Sequence, residues 1–173
     1  MAIRKILTEP DPFLRQKSHE VNEVNNEIRR LMDDMLDTMY AAPGIGLAAI
    51  QLGVPKRIVV IDLSKEEKKK PLFFVNPKIV LRSNIYATYE EGCLSVPGQF
   101  AEIDRPDHCC INYLDYNGAQ QELRVEGLLA TCIQHEMDHL EGILFIDYLS
   151  KLKKSFIVKK LSKQKKSLER IVV

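Results

Sequence analysis

The sequence predicts an α+β fold in which mixed, mainly antiparallel β-sheet fills the middle of the chain and amphipathic helices lie toward both ends. Three observations carry that prediction. Apolar residues recur at three- and four-residue spacing from Ile28 to Met39, short β-rich runs follow from Arg57 to Val125, and helical periodicity returns after Glu126.

Asp11-Pro12 reads as an N-cap followed by proline at the first helical position, which predicts a short helix over 12–16. Ile28, Leu31, Met32, Met35, Leu36 and Met39 then mark one face of a longer helix that stops before Pro43-Gly44. This methionine stripe is core. Strands are expected at 57–63, 72–75, 78–81, 85–90, 109–115 and 121–125. The charged stretch Lys65 to Lys70 reads as an exposed hairpin loop, and Asn117-Gly118 is a turn signal for a second hairpin. Glu126 to Leu140 is helical again. Ser150 caps a last helix, with Leu152, Phe156, Ile157, Leu161 and Leu168 expected inward.

A chain of 173 residues with 45% hydrophobic and 28% charged residues has the makeup of one globular domain. Apolar runs such as 44–50 and 142–146 fall far short of the roughly 20 residues that span a bilayer, so no membrane is expected as a partner. The start of the chain offers no uninterrupted apolar stretch, because Glu9, Pro10 and Asp11 follow Leu7. Export is therefore not expected, and a cytoplasmic location is. Four cysteines stand at 93, 109, 110 and 132; the adjacent pair points to opposite faces of a strand, which suits no disulfide framework.

The net charge of +1 conceals an asymmetry. Residues 151–173 hold eight Lys and one Arg against Glu169, a net +8, which leaves −7 on residues 1–150. Such a tail is commonly a solvated helix face; its functional reading is docking on a polyanion.

The sharpest chemical signal is His135-Glu136-Met137-Asp138-His139. Residues four apart on a helix differ by about 40° around the axis, so the two imidazoles face one point from one rigid element. Glu136 stands beside that point, where it can handle the proton of a bound water. Ordinary helical histidines are the plain alternative. A catalytic ion needs a third protein ligand and one open position. Cys93, in Glu91-Gly92-Cys93-Leu94-Ser95, is the favoured candidate, and Gly92 permits close backbone approach there. Cys132 competes. Yet Cys132, His135 and His139 would stack over two turns, about 10 Å along the axis, so Cys132 suits a pocket wall better. In Gly44-Ile45-Gly46-Leu47-Ala48-Ala49-Ile50-Gln51, small residues allow a peptide to pass closely, and Gln51 offers an amide donor for a developing oxyanion. By itself that segment is no more than a turn.

Taken together, Gly44-x-Gly46-x-Ala48-Ala49-x-Gln51, Glu91-Gly92-Cys93-Leu94-Ser95 and Gln134-His135-Glu136-Met137-Asp138-His139 resemble the three motifs of the peptide deformylases, of the bacterial type. The resemblance extends to Pro12, Asn76-Pro77 and Gly142-Ile143-Leu144-Phe145, covering about residues 1–150. It implies sheets around a central helix that carries the His-Glu-x-x-His motif. It also implies a catalytic body at 1–150, with the basic helix 151–173 as part of the same single domain. One divalent ion is implied on Cys93, His135 and His139: ferrous iron, with nickel, cobalt or zinc able to substitute. The implied reaction removes formyl from the initiator methionine of N-formylmethionyl nascent peptides.

By the same resemblance Glu136 is the general acid and base, while Gln51 and the Leu94 N–H hold the oxyanion. The peptide is implied to lie beside Ile45, Gly46 and Gly92 as an added strand. Ile45, Leu128, Thr131 and Cys132 are implied to receive the methionine side chain. Thr131 stands where an aliphatic residue is common, and Phe100 where some members carry Arg. Arg105 matches the Arg that pairs with the motif carboxylate Glu91, a pair read as structural. The helix after Ser150 resembles the one by which some deformylases dock on the ribosome. A monomer is expected, and no DNA partner.

Two other readings compete. One is a His-Glu-x-x-His metalloprotease, which would need a downstream ligand from Glu141, Asp147 or Glu169, since no His follows His139. The other is a closed, non-catalytic metal site in a ribosome-binding module.

Overall fold

A computed structural model describes residues 2–64 and 68–171. The α+β class holds. After a 3₁₀ turn at Pro12–Arg15, capped by Asp11, the chain forms helix α1 (Asn26–Ala41) and strands β1 (Gly46–Ala48), β2 (Ile58–Ile61) and β3 (Leu72–Arg82). Strands β4 (Tyr86–Cys93), β5 (Val96–Pro106), β6 (His108–Leu114) and β7 (Gln120–Glu126) follow, then helices α2 (Gly127–Leu140) and α3 (Lys151–Ile171). The named strands pair antiparallel, in a five-stranded sheet ordered β1-β2-β3-β6-β7 and a separate β4-β5 hairpin, while an isolated parallel bridge joins His19 to Lys56.

Helix α1 starts where the Asn25 side chain accepts the Ile28 N–H at 3.1 Å, and it buries Ile28, Leu31, Met32, Met35 and Met39. That face packs on Leu47, Ile58, Val60 and Val75. The opposite face of the same sheet, through Val59, Ile61, Phe74 and Ile111, packs on Ala130, Cys132 and Ile133 of α2. The unbroken apolar run of β2 follows: successive side chains point to opposite faces, and a helix covers each one. Burial also places the adjacent cysteines apart in environment, with Cys109 in the core and Cys110 partly exposed; all four cysteines are free thiols.

Several expectations need correction. The runs at 72–75 and 78–81 form one strand, bent by a register shift at Asn76-Pro77. Asn76 takes φ +50°, and its side chain accepts the Val21 N–H and donates to the Val21 carbonyl, both at 2.8 Å, which offsets the left-handed conformation. Strands β1 and β5 were not expected: the first is only three residues long, and the second holds Pro97, Gly98 and Pro106. Both exist because a partner strand satisfies their backbone. The loop expected at Lys65 to Lys70 falls partly on 65–67, outside the described residues.

On α3 only part of the expected inward face is covered. Leu161 is buried and Ile157 half-buried, packed near Val96 and Phe145, whereas Leu152, Phe156 and Leu168 stand exposed. The helix meets the body on one side, and β5 with the 145–148 turn covers only a narrow stripe of it. Among the described residues no helix is long and apolar enough to cross a membrane.

Candidate metal centre

Helix α2 lies between the large sheet and the hairpin, and His135, Glu136 and His139 on it are each less than a tenth exposed. Imidazoles this deep need partners. His135 Nδ1 meets Glu91 Oε2 at 2.8 Å, which turns its Nε2 edge toward Cys93 at the end of β4. The register of the β4-β5 hairpin shifts between Gly92 and Cys93, so Cys93 pairs with Val96 across a tight turn. A shift of this kind re-aims a side chain. It brings Cys93 Sγ to 3.3 Å from His139 Nε2.

One ligand atom from each of Cys93, His135 and His139 lies within 4.8 Å of the others. A tetrahedral ion bonded at about 2.3 Å to sulfur and about 2.0–2.1 Å to nitrogen would set its ligands about 3.5 Å apart, so the set fits one ion. Cys132 stays out of this cluster and lines the adjoining cavity instead. The donor chemistry agrees with that fit. Burial, with the charges of His135, Arg105 and Arg15 adding to it, holds His139 well below the usual histidine range, hence neutral and able to ligate. Burial also opposes a charge on His135, but Cys93 and Glu91 outweigh it and raise its affinity for a proton.

Beside the trio opens a cavity of about 450 Å³. Gln51, buried in the 3₁₀ turn after β1, accepts the Ala48 N–H at 2.8 Å and donates through Nε2 to Ser95 Oγ at 3.0 Å, with Cys93 Sγ 3.7 Å away. Its amide nitrogen thus faces the metal side. Glu136 presses against β1, where a Cβ added to Gly46 would stand 2.5 Å from Glu136 Oε1. Its other oxygen is buried with no hydrogen-bond partner among the described residues. Burial, with Glu91 and Asp138 adding and His135 opposing, raises the Glu136 carboxyl to about 7.

The family model for polypeptide deformylase matches residues 3–155. The chain belongs to that family. Relatives agree along the whole length: it is 68% identical over 174 residues to the peptide deformylase of Pelagibacter ubique (strain HTCC1062), covering all of both chains. Among solved structures, the Ehrlichia chaffeensis peptide deformylase in complex with actinonin superimposes with TM-score 0.91 at 46% identity, over 95% of this chain and 98% of that one. A Legionella pneumophila peptide deformylase gives 0.90 at 44% identity, over 98% and 99%. Deformylases are metal-dependent, and a Cys/His/His cluster that could hold an ion is present here.

The remaining residues expected at the deformylase site all line the cavity. Ile45 and Leu128 are about half exposed and form its rim, while Thr131 and Cys132 are buried in its floor. Gly46, Gly92 and Leu94 line it as well, Leu94 so close to Gly44 that a Cβ there would meet its Cδ1 at 2.7 Å. Tyr89 and Pro97 also line it and were not expected.

The Glu91-Arg105 pair does more than a structural pair would. Arg105 donates to both Glu91 oxygens, at 2.5 and 3.0 Å, and to Asp138 at 2.8 Å, while Glu91 also holds His135. Burial would raise Glu91, but hydrogen bonds from His135 and Arg105 keep it below the usual carboxylate range. The sequence signal was the placement of Glu91 two residues before a candidate ligand. Only the hairpin reveals where that carboxylate points.

Proposed function

We infer that this protein removes the N-formyl group from the initiator methionine of newly made polypeptides, releasing formate. The observation that carries the reading is one geometry: a cysteine sulfur and two imidazoles converge at the end of an open cavity whose walls also carry a buried carboxylate and an amide donor. A closed structural site has no such opening.

The ion assigned to Cys93, His135 and His139 is ferrous iron, with nickel, cobalt or zinc able to substitute, as one thiolate with two imidazoles suits these metals. When bound, it supplies Lewis acidity and a water of lowered pKa. Glu136 accepts the proton of the attacking water and delivers it to the departing amine, and its burial, which raises the carboxyl, favours its taking up that proton. Gln51 Nε2 and the Leu94 N–H donate to the oxygen that becomes negative as the formyl carbon turns tetrahedral.

The peptide binds as an added strand. Strand β1 is the edge of its sheet, and β4 pairs with β5 alone, so Gly46 and Gly92, both lining the cavity, lie on strands with one unpaired edge each. Backbone pairing tolerates varied sequences, as an enzyme acting on all new chains requires. The methionine side chain fills the floor over Thr131 and Cys132, between Ile45 and Leu128.

Residues 1–150 form the catalytic body of a single domain and α3 is appended to it, with Leu161 and Ile157 seated near Val96. The protein works as a cytoplasmic monomer that meets nascent chains at the ribosome, through the net +8 segment 151–173. Turnover of formyl-Met-Ala by anaerobically purified protein, against acetyl-Met-Ala, tests the reading. Formate release from the formyl substrate alone is expected; no release with metal bound overturns it.

A further inference from the structure

Arg105 and Asp138 share a third partner that the chemistry above does not use. Tyr148 donates its hydroxyl to Asp138 Oδ2 at 2.8 Å, the same oxygen that receives Arg105 Nη1 at 2.8 Å, and the Arg105 guanidinium carbon stands 5.0 Å over the centre of its ring. A cation over an aromatic face at that distance is attracted to it, the more so where water is kept away. Arg105 is 4% exposed, although it borders a depression of about 650 Å³ that shares no residue with the metal-side cavity. Tyr148 borders the same depression and is 52% exposed, with one face of its ring given to the guanidinium.

Tyr148 ends the 3₁₀ turn Phe145–Tyr148, and side chains three apart in such a turn eclipse. Both ends of the turn meet α2. The Phe145 ring stacks on His135, 6.2 Å between centroids and 25° between planes, while Tyr148 reaches Asp138, three residues further along the same helix. Asp147 fixes the turn from outside through Arg15 at 2.6 Å and the Leu144 N–H at 2.9 Å. One anchored turn thus touches an imidazole assigned to the ion at one end and the support of that imidazole at the other.

We propose that Tyr148 is a positioning residue for the ion: it holds Asp138 and Arg105, Arg105 holds Glu91, and Glu91 holds His135 Nδ1, so the aim of His135 Nε2 depends on a hydroxyl outside the cavity. The proposal rests on the assignment of the ion to Cys93, His135 and His139. Geometry makes the chain stiff. The guanidinium is a planar fork whose Nε and Nη2 serve Glu91 while Nη1 serves Asp138, so it cannot turn to follow one carboxylate without losing the other. Removing the phenol leaves Asp138 Oδ2 and the uncovered face of Arg105 to water, and the fork is then free to tilt away from Glu91. Burial, with Asp138 adding and Arg105 opposing, raises the Tyr148 phenol above its ordinary value, so the hydroxyl stays a donor throughout the neutral range.

The test titrates cobalt into the metal-free full chain against a competing chelator, with urea denaturation of each metal-free form. It uses the unaltered protein, Y148F, Y148A, E91Q, the double variant Y148F/E91Q and, as a control on the same depression, Y86F. Y148F is expected to weaken cobalt binding about 2- to 10-fold, the size of one hydrogen bond, and Y148A at least as much, while Y86F binds as the unaltered chain does. On top of E91Q, the change from Tyr148 to Phe is expected to alter affinity by less than about twofold, because the link is already cut. Unaltered affinity in both Y148F and Y148A overturns the proposal; a urea midpoint that falls alongside would make Tyr148 a residue of the fold alone. A full loss from Y148F on top of E91Q overturns it too. Failure of the unaltered chain to hold one cobalt ion strikes instead at the ion assignment, and takes this proposal with it.

Discussion

Glu91 Oε2 lies 2.8 Å from His135 Nδ1, and the same carboxylate is gripped by both Arg105 nitrogens. Glu91 therefore sets the orientation of the imidazole, engaging Nδ1 and leaving Nε2 on the side of Cys93. Arg105, tied in turn to Asp138 at 2.8 Å, joins the hairpin to the helix that carries both histidines.

Glu91→Gln is accordingly expected to weaken metal affinity by about 10- to 100-fold, the usual cost of losing a partner that orients a ligand. Competition of the purified variant against a chelator measures it. Unchanged affinity removes Glu91 from this role.

Glu136→Ala should retain the ion but lose about 10²- to 10⁴-fold in kcat, as expected for a lost proton carrier. Metal analysis and turnover of formyl-Met-Ala on the same sample separate the two effects. Gln51→Ala should cost about 10²- to 10³-fold in kcat, with KM changing less; a change confined to KM would place Gln51 in ground-state binding.

Gly46→Ala probes the contact between β1 and the carboxylate. The new methyl would stand 2.5 Å from Glu136 Oε1 and 3.0 Å from Cys132 Sγ, inside a packed wall. Overpacking typically costs about 1–3 kcal/mol, so a loss of roughly 5- to 150-fold in kcat/KM is expected while the ion stays bound. Full activity would show that Glu136 can sit elsewhere.

Asp147 links three segments. It bonds Arg15 at 2.6 Å, the Leu144 N–H at 2.9 Å and Lys154 at 2.6 Å, tying the first 3₁₀ turn and α3 to the turn after α2. Burial would raise its carboxyl, but these partners outweigh it and depress the pKa below the usual aspartate value. A depressed folded-state pKa stabilises above the unfolded value of about 3.9, and that stability fades as pH falls toward the folded value. Asp147→Asn should cost about 1.5–3 kcal/mol at pH 7 by urea denaturation, with the gap from the unaltered protein closing below about pH 4. A gap independent of pH would mean that packing, not charge, is lost.

Ribosome co-sedimentation should fall steeply with added salt, and replacing Lys159, Lys160, Lys163, Lys165 and Lys166 by Glu should abolish it without changing turnover of formyl-Met-Ala. Salt-independent co-sedimentation would assign the contact to apolar surface.

What could be read from the sequence was what neighbours along the chain decide. Helix α1 was legible because its methionines and leucines repeat at helical spacing, and the β6-β7 turn because Asn117-Gly118 suits a tight hairpin. Strand β5 was not, because its prolines and glycine argue against a strand until β4 lies alongside. Phe156 and Leu168 fit an inward face by period alone, but nothing in the period says how wide a stripe the body covers.

The candidate site divides along the same line. His135, Glu136 and His139 face together because a helix has 3.6 residues per turn, so the sequence by itself determined that pair of imidazoles and the carboxylate beside them. Which sulfur joins them, Cys93 or Cys132, was a question of sequence-distant contact, and the turn at the end of β4 decides it by bringing Cys93 Sγ to His139. The grip of Arg105 on Glu91, and of Glu91 on His135, likewise came only from the tertiary structure. Local periodicity fixes angles within one element; it carries no information about which other element the backbone will bring within bonding distance.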